Sequence, residues 1–426
     1  MKNNIQGFAI EDCEAFKLKM LSWTSRFNIF CFMDNNNYAF QEPRFQFMLA
    51  AGCLHSITIE NEDLESLQLF HQRHGWLFGH FGYDLLNKNT SSTKQDEVDF
   101  PAGFFFAPQY IISFQNNLVT IECNEQDPEK IFQEINHQGP AIKRTSNENI
   151  EFNNGISKEE YISTINTLKK HILRGDCYEI NFCQHFYESD IMIDPLDFYH
   201  RLTRISPNPF SAFYKIDDKY CLCASPERFL KRSGGRLISQ PIKGTSKRDF
   251  SNIKKDDQNK KYLLSSEKEK SENVMIVDLV RNDLSKIAIE GTVEVKELFG
   301  IYSFPQVHQM ISTIECDIER NTRWIDIIRA CFPMGSMTGA PKKKVMELIS
   351  RYEKFSRGLF SGSIGYIDPS GDFDFNVVIR SLMYNETKRL LTFKVGSGIT
   401  FNCDAEKEYE ECMMKAEGIR RTSSLS

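Results

Sequence analysis

The sequence predicts an α+β fold in which antiparallel sheets are covered by helices. Three observations predict it. Long strand-like runs are joined by polar turns, long helical patterns fall between groups of strands, and no regular strand–helix–strand repeat runs through the chain. The 426 residues, 41% of them hydrophobic and 26% charged, suffice for a large buried core. A formal net charge of −6 leaves no basic footprint for nucleic acid. No apolar run approaches the roughly 20 residues of a membrane span. The N-terminus lacks the apolar core of a signal peptide, so the 12 cysteines are expected to be reduced in a cytoplasmic protein.

Residues 1–140 alternate strand-like runs (NIFCFM, QYIISF, NLVTIEC) with turn clusters such as DNNN, and read as a first α+β region. Few large apolar residues occur between 138 and 157, which places a linker at 141–154. A second unit, 155–426, opens with SKEEYISTINTLKKHILRGD. Its apolar residues Tyr161, Ile162, Ile165, Leu168, Ile172 and Leu173 have helical spacing, with Ser157 as N-cap, Glu160 completing a capping box and Gly175 ending the helix. YEINFCQHF, FSAFYKI, YCLCAS, GRLISQP, SGSIGYID, DFNVVIRSLMYN and LLTFKVGSGIT read as strands. Further helices are expected near 260–287, 324–331, 341–354 and 405–421. Cys221 and Cys223, in a C-x-C on a strand, put both thiols on one face.

Two acidic pairs have the spacing for chemistry. Glu269 and Glu272, and Glu408 and Glu411, each lie three residues apart, so each pair projects from one helix face. Pairs from two helices can converge on a hard cation such as Mg²⁺, directly or through water. Read alone, each is equally a solvated helix face. FPMGSMTGAPKKKVMEL joins flexible residues to a helix with Pro341 in its first turn, and VGSGI at 395–399 permits close approach to the backbone. Arg380 suits a carboxylate clamp, and Glu227 follows a strand beside Arg228, where a turn salt bridge would also explain it. His308 sits in a strand-like run, where a core role is equally open. Lys243 interrupts the apolar end of RLISQPIKGT; by itself it reads as a surface charge.

In order, SPERF, PIKGT, SENVMIVDLVRND, ELFGIYSFPQVHQMIST, FPMGSMTGAPK, SGSIGYID, VVIR, VGSGI and EKEYEECMMKA resemble the sequential motifs of the chorismate-utilising enzymes. That family includes anthranilate synthase and aminodeoxychorismate synthase component I and the isochorismate and salicylate synthases. The likeness covers residues 155–421 and extends loosely to GWLFGHFGYD at 75–84. It implies two large antiparallel sheets packed as a sandwich, helices outside, and an active site in the cleft between the sheets. It implies Mg²⁺ on the substrate's ring carboxylate, with Glu272 and Glu411 as direct ligands and Glu269 and Glu408 assisting through water. By motif position, Arg380 and Tyr366 would hold the pyruvyl-ether carboxylate with backbone amides of Gly396, Ser397, Gly398 and Ile399. Thr338 would line the ring pocket, and His308 would lie near the reacting carbons.

Within the family, PIKGT resembles the aminodeoxychorismate synthase branch, whereas anthranilate synthases read PIAGT. The resemblance implies Lys243 as a nucleophile, its pKa lowered by desolvation, and Glu227 as general acid. Ammonia would come from a separate glutamine amidotransferase subunit, and no pyridoxal-phosphate lyase is expected at the C-terminus. Anthranilate synthase and a non-catalytic chorismate-binding homologue are the alternatives. Three departures stand out. Glu179 replaces the glutamine of the GDCYQVNLAQ pattern, Met334 replaces a loop glycine, and the Leu-Leu-Glu-Ser motif tied to tryptophan feedback has no match, so inhibition of that kind is not expected.

Overall fold

The computed structural model describes residues 3–38, 44–60, 63–86, 94–139, 150–305 and 307–424. The linker expected at 141–154 lies outside the described residues as far as 149. Among the described residues twenty strands pair, every one antiparallel, into a single continuous ladder. One arm runs from Glu179–Glu188 through Leu390–Thr400, Ser381–Asn385, Lys219–Ser225, Phe210–Ile216 and Ile29–Asp34. It reaches Phe47–Ile59 and Gly103–Gln115, two 13-residue strands paired along most of their length. From there the other arm runs through Leu77–Phe81, Ser363–Ile367, Phe373–Asn376, Arg228–Ser233 and Arg236–Gln240 to Val307–Asp317.

A register shift between Cys53 and His55 interrupts the long pair, and the ladder folds over there. The arms then face each other: His80 Nδ1 lies 3.0 Å from the Tyr214 hydroxyl, and Asn376 Nδ2 donates to Cys223 Sγ at 3.6 Å. The two sheets of the expected sandwich are therefore two arms of one ladder. Strands from before residue 140 are woven between later ones, and one buried apolar cluster extends from Phe8 to Ile419.

The helices pack outside the arms where their sequences direct. Lys158–Leu173 starts at Ser157, whose hydroxyl accepts from the Glu160 amide at 3.2 Å, and Gly175 follows its end with φ +88°. The helix expected near 260–287 is two helices, Ile253–Ser265 and Glu267–Ser285. Ser266 divides them because its side chain caps the second, accepting from the Glu269 amide, while its own backbone is extended. DFNVVIRSLMYN also divides: its strand ends at Asn376 and another begins at Ser381. Among the described residues no helix is long and apolar enough to cross a membrane.

One buried ion pair ties three segments beneath the sheet. Arg357 and Glu353 are 1% and 2% exposed and bond at 2.9 and 2.6 Å. Arg357 also donates to the Met337 and Asn181 carbonyls, and Glu353 accepts from the Cys183 amide. Replacing one partner leaves the other charge buried and unpaired. Arg357→Ala is expected to cost about 3–5 kcal/mol of stability, read as a lowered urea midpoint. An unchanged midpoint contradicts this.

Candidate active site

The chain crosses from one arm of the ladder to the other twice at neighbouring points. Strand Lys219–Ser225 belongs to one arm and Arg228–Ser233 to the other, with Glu227 between them. Strands Phe373–Asn376 and Ser381–Asn385 are split likewise, with Arg380 between them. The crossings support each other: the Val377 amide donates to the Glu227 carbonyl at 3.0 Å, and the Ala224 amide to the Arg380 carbonyl at 3.2 Å. Burial raises the Glu227 carboxyl to about 7, although Ser336, the Ile242 amide, Lys243 and Arg380 pull it down. Burial lowers the Arg380 guanidinium to about 10, against the pull of Glu227. Arg228 is not Glu227's partner; it bonds Asp374 at 2.9 Å and Gln240 at 2.7 Å.

Lys243 arrives through a β-bulge. Ile242 pairs with Ile311 and Thr245 with Gln309, so Lys243 and Gly244 together oppose Met310 alone. Gly244 has φ +100°, and a Cβ there would lie 3.1 Å from Glu269 Oε2, so the bulge needs glycine on both grounds. The bulge turns the ammonium of Lys243 to within 2.6 Å of Glu179 Oε1 and 3.7 Å of Glu272 Oε2. Burial lowers its pKa, yet Glu179, Glu272 and Glu411 outweigh burial and hold the ammonium above its ordinary value. The expected depression is thereby corrected: the pocket is desolvated but acidic.

The two glutamate pairs face each other from the first two turns of Glu267–Ser285 and Ala405–Ser424. Lys268 spans them, 3.8 Å from Glu272 and 3.6 Å from Glu408, and Lys415 holds Glu411 at 2.7 Å. Burial raises Glu272 to about 7 and also raises Glu269; Lys415 lowers Glu411. Among the described residues no three metal-ligand side chains are drawn tightly enough together to hold an ion in this arrangement. The donor set is nevertheless oxygen-rich and buried, and it is shared with lysines that an ion can displace, which fits Mg²⁺. Ser397 donates to Glu408 from one face of its strand. On the other face, a Cβ at Gly398 would lie 2.2 Å from Lys243 Nζ and 2.9 Å from Glu179 Oε1. Strand Leu390–Thr400 keeps its partner Glu179–Glu188 throughout, but on its other edge the pairing with Ser381–Asn385 stops at Phe393. Alternate backbone groups within Gly396–Ile399 thus face away from the partner strand, where the Gly396 carbonyl accepts from Lys415 at 2.9 Å.

With this geometry in view, comparison with known proteins identifies the chain. The profile of the chorismate binding enzymes matches residues 34–421. The chain belongs to this family. It is 31% identical over 373 residues to aminodeoxychorismate synthase component 1 of Klebsiella aerogenes, covering 85% of this chain and 82% of that one. It is equally 31% identical over 373 residues to an anthranilate synthase component I-like protein of Synechocystis, covering 86% and 76%. The crystal structure of anthranilate synthase component I from Streptococcus pneumoniae superposes with a TM-score of 0.79 at 24% identity, over 88% of this chain and 92% of that one. The protein is therefore a chorismate-utilising enzyme of α+β fold.

Not every family-assigned residue joins this chorismate enzyme's cluster. Tyr366 pairs with Asp374 and Phe78, and the alternation of its strand turns the ring toward Arg44, Trp76 and Phe45. It lines a different cavity, with room of about 80 Å³ for water-sized molecules. His308 is 2% exposed, with one ring nitrogen 2.8 Å from Ser303 Oγ and the other 3.1 Å from Asp256 Oδ1. Tyr366 thus does not accompany Arg380, and both ring nitrogens of His308 are engaged, by Ser303 and Asp256. Gln309 lies on the opposite face of that strand, its Oε1 buried without a partner. Thr338 borders the strand of Glu179, but its hydroxyl closes its own turn on the Met334 and Gly335 carbonyls. Sequence reasoning missed Ser336 beside Glu227, and Lys268, which is hidden within EKEK.

Two outcomes follow from the geometry. Glu227 sits near 7 in the fold against an ordinary 4.5, so folding favours its protonated form. The resulting stability is full below the unfolded value and is lost as pH rises through the folded one, about 3 kcal/mol in all. Glu227→Gln should lack this loss, so between pH 5 and pH 8 its urea midpoint should fall less than that of the parent; equal falls contradict the assignment. Gly398→Ala should displace Lys243, lowering kcat by about tenfold or more with little change in Tm. Full activity there would mean that the Lys243–Glu179 contact is dispensable.

Proposed function

We propose that the protein is aminodeoxychorismate synthase component I, converting chorismate and ammonia to 4-amino-4-deoxychorismate for 4-aminobenzoate formation. The observation that carries the reading is the bulge that delivers Lys243 among acidic side chains close to Glu227. A lysine here supplies a nucleophile that an alanine cannot. Similarity to relatives named aminodeoxychorismate synthase supports the same choice.

Lys243 begins as an ammonium and must lose a proton. Glu179 is placed to take it, at 2.6 Å. The neutral amine bonds to ring C2 as both ring double bonds shift by one position and the C4 hydroxyl departs. Protonated Glu227 gives that hydroxyl its proton, so it leaves as water. Ammonia then bonds to C4, both double bonds shift back and the C2–nitrogen bond breaks. The Glu227 carboxylate takes a proton from the new ammonium group, and Lys243 recovers its own from Glu179. Arg380 and the backbone of Gly396–Ile399 hold the substrate's side-chain carboxylate. Glu272 and Glu411 would hold Mg²⁺, with Glu269 and Glu408 assisting through water; the ion would neutralise the ring carboxylate and fix the ring. Ammonia comes from a glutamine amidotransferase subunit in the cytoplasm.

The test is product identity. With chorismate, Mg²⁺ and ammonium, a 4-aminobenzoate signal should appear only when an aminodeoxychorismate lyase is added. Fluorescent anthranilate formed without any lyase overturns the reading in favour of anthranilate synthase. Glu227→Gln should lose about 10²-fold or more in kcat. Parental turnover in both that variant and Lys243→Ala would remove both catalytic assignments.

A further inference from the structure

Strand Val307–Asp317 has a bulge in each of two neighbouring strands. On one side Lys243 and Gly244 oppose Met310 alone; on the other, Leu298 and Phe299 oppose Ser312 alone. Phe299 stands at φ +62°, where a residue with a side chain is held only by its surroundings. The buried Ser312 hydroxyl accepts from the Phe299 amide at 3.2 Å. Its one proton goes to Asn273 Oδ1, at 2.7 Å. That bond fixes which way the buried Asn273 amide faces, and its Nδ2 donates to the Lys243 carbonyl at 3.3 Å. Both bulges are thus tied together through two buried side chains.

We propose that Asn273 and Ser312 are positioning residues for Lys243, aiming its amine at the reacting ring. The inference rests on the amination reading, in which Lys243 is the nucleophile. A flexible lysine stem reaches many positions, so a productive approach has to be set where the stem begins. The cost of error is large, since a displacement of about 1 Å at the reacting atoms can lose about 10²-fold in rate. The relay runs in one direction, from the Phe299 N–H through Ser312 and Asn273 to the Lys243 carbonyl, so each bond polarises the next. Asn273 also follows Glu272 directly on helix Glu267–Ser285. The residue expected to anchor the ring carboxylate and the donor that directs the amine are therefore consecutive. The attacking amine and the ring carbon beside that carboxylate are held relative to one stretch of backbone.

The test has two arms: steady-state kinetics with ammonium chloride and excess lyase, and acetylation of Lys243 by acetic anhydride, read by peptide mass spectrometry. Asn273→Ala should lower kcat about tenfold or more while the KM for chorismate stays within about twofold. With its stem released, Lys243 should acetylate about fivefold faster, relative to the exposed Lys260, than in the parent. Ser312→Ala leaves the Asn273 amide free to turn and should lower kcat about fivefold, with acetylation again faster. A kcat for Asn273→Ala within about twofold of the parent overturns the proposal. So does a lowered kcat with unchanged Lys243 acetylation, because the residue would then act on something other than Lys243. Should Asn273→Ala fail to fold, Ser312→Ala decides alone by the same two criteria. Absence of aminated product from the parent removes the amination reading, whereas unchanged acetylation removes this inference whether or not that reading stands.

Discussion

Twenty strands in one antiparallel ladder cannot lie flat, because twist accumulates from strand to strand until an open sheet curls or splits. This ladder folds over at two 13-residue strands and closes into two facing arms. The chain must then pass between arms, and where it does it leaves the regular hydrogen-bonding pattern. Such backbone needs partners. At the two crossings the partners are each other's backbone, through Val377 with Glu227 and Ala224 with Arg380. The side chains of the crossing segments are freed for the seam between the arms. Arg380, at φ +51°, occupies a backbone region costly for a side-chain-bearing residue, which is characteristic of functional positions. The site is therefore a consequence of how the ladder closes.

Charge is organised along that seam in two unlike ways. Glu227 is raised by burial and has few compensating charges, so a proton is its cheapest partner. Glu272 is raised to the same degree, but Lys243 and Lys268 lie within 4 Å of it. A carboxyl of the first kind suits proton transfer, and one of the second suits exchange of one cation for another. Placing the two environments on different segments keeps their roles from interfering.

The order of motifs was legible in the sequence, as were most element boundaries, because local signals govern them. The Ser157 cap and the strand of Gly396–Ile399 are examples. Most of what escaped depended on partners distant in sequence, the helix division at Ser266 being the exception. The division at Ser266 could have been read from SSEKE, a serine three residues before a glutamate. The crossing after Asn376 coincides with the apolar run Val377–Ile379, where the alternation of DFN breaks, but an apolar run reads equally as a buried strand. The placement of Tyr366 and His308 apart from the cluster has a related reason: a motif fixes chain position, whereas the face a side chain takes is set by pairing with Phe78 or by the packing of Asp256.

Lys243 shows why the backbone decides this site more than the side chain does. A lysine stem has four rotatable carbons and could place its charge over a wide region. Here the bulge sets its starting direction, and Asn273 fixes the bulge by donating to the Lys243 carbonyl at 3.3 Å. Glu179 fixes the far end, in a space that exists because Gly398 has no side chain. An uncharged glutamine at 179 could also hydrogen-bond the ammonium, but it could not accept the proton. In the proposed reaction the glutamate couples two tasks in one contact, orienting the nucleophile and taking the proton it must lose. The cost is a resting state in which the nucleophile is protonated, so the amine becomes reactive only once the charges around it change.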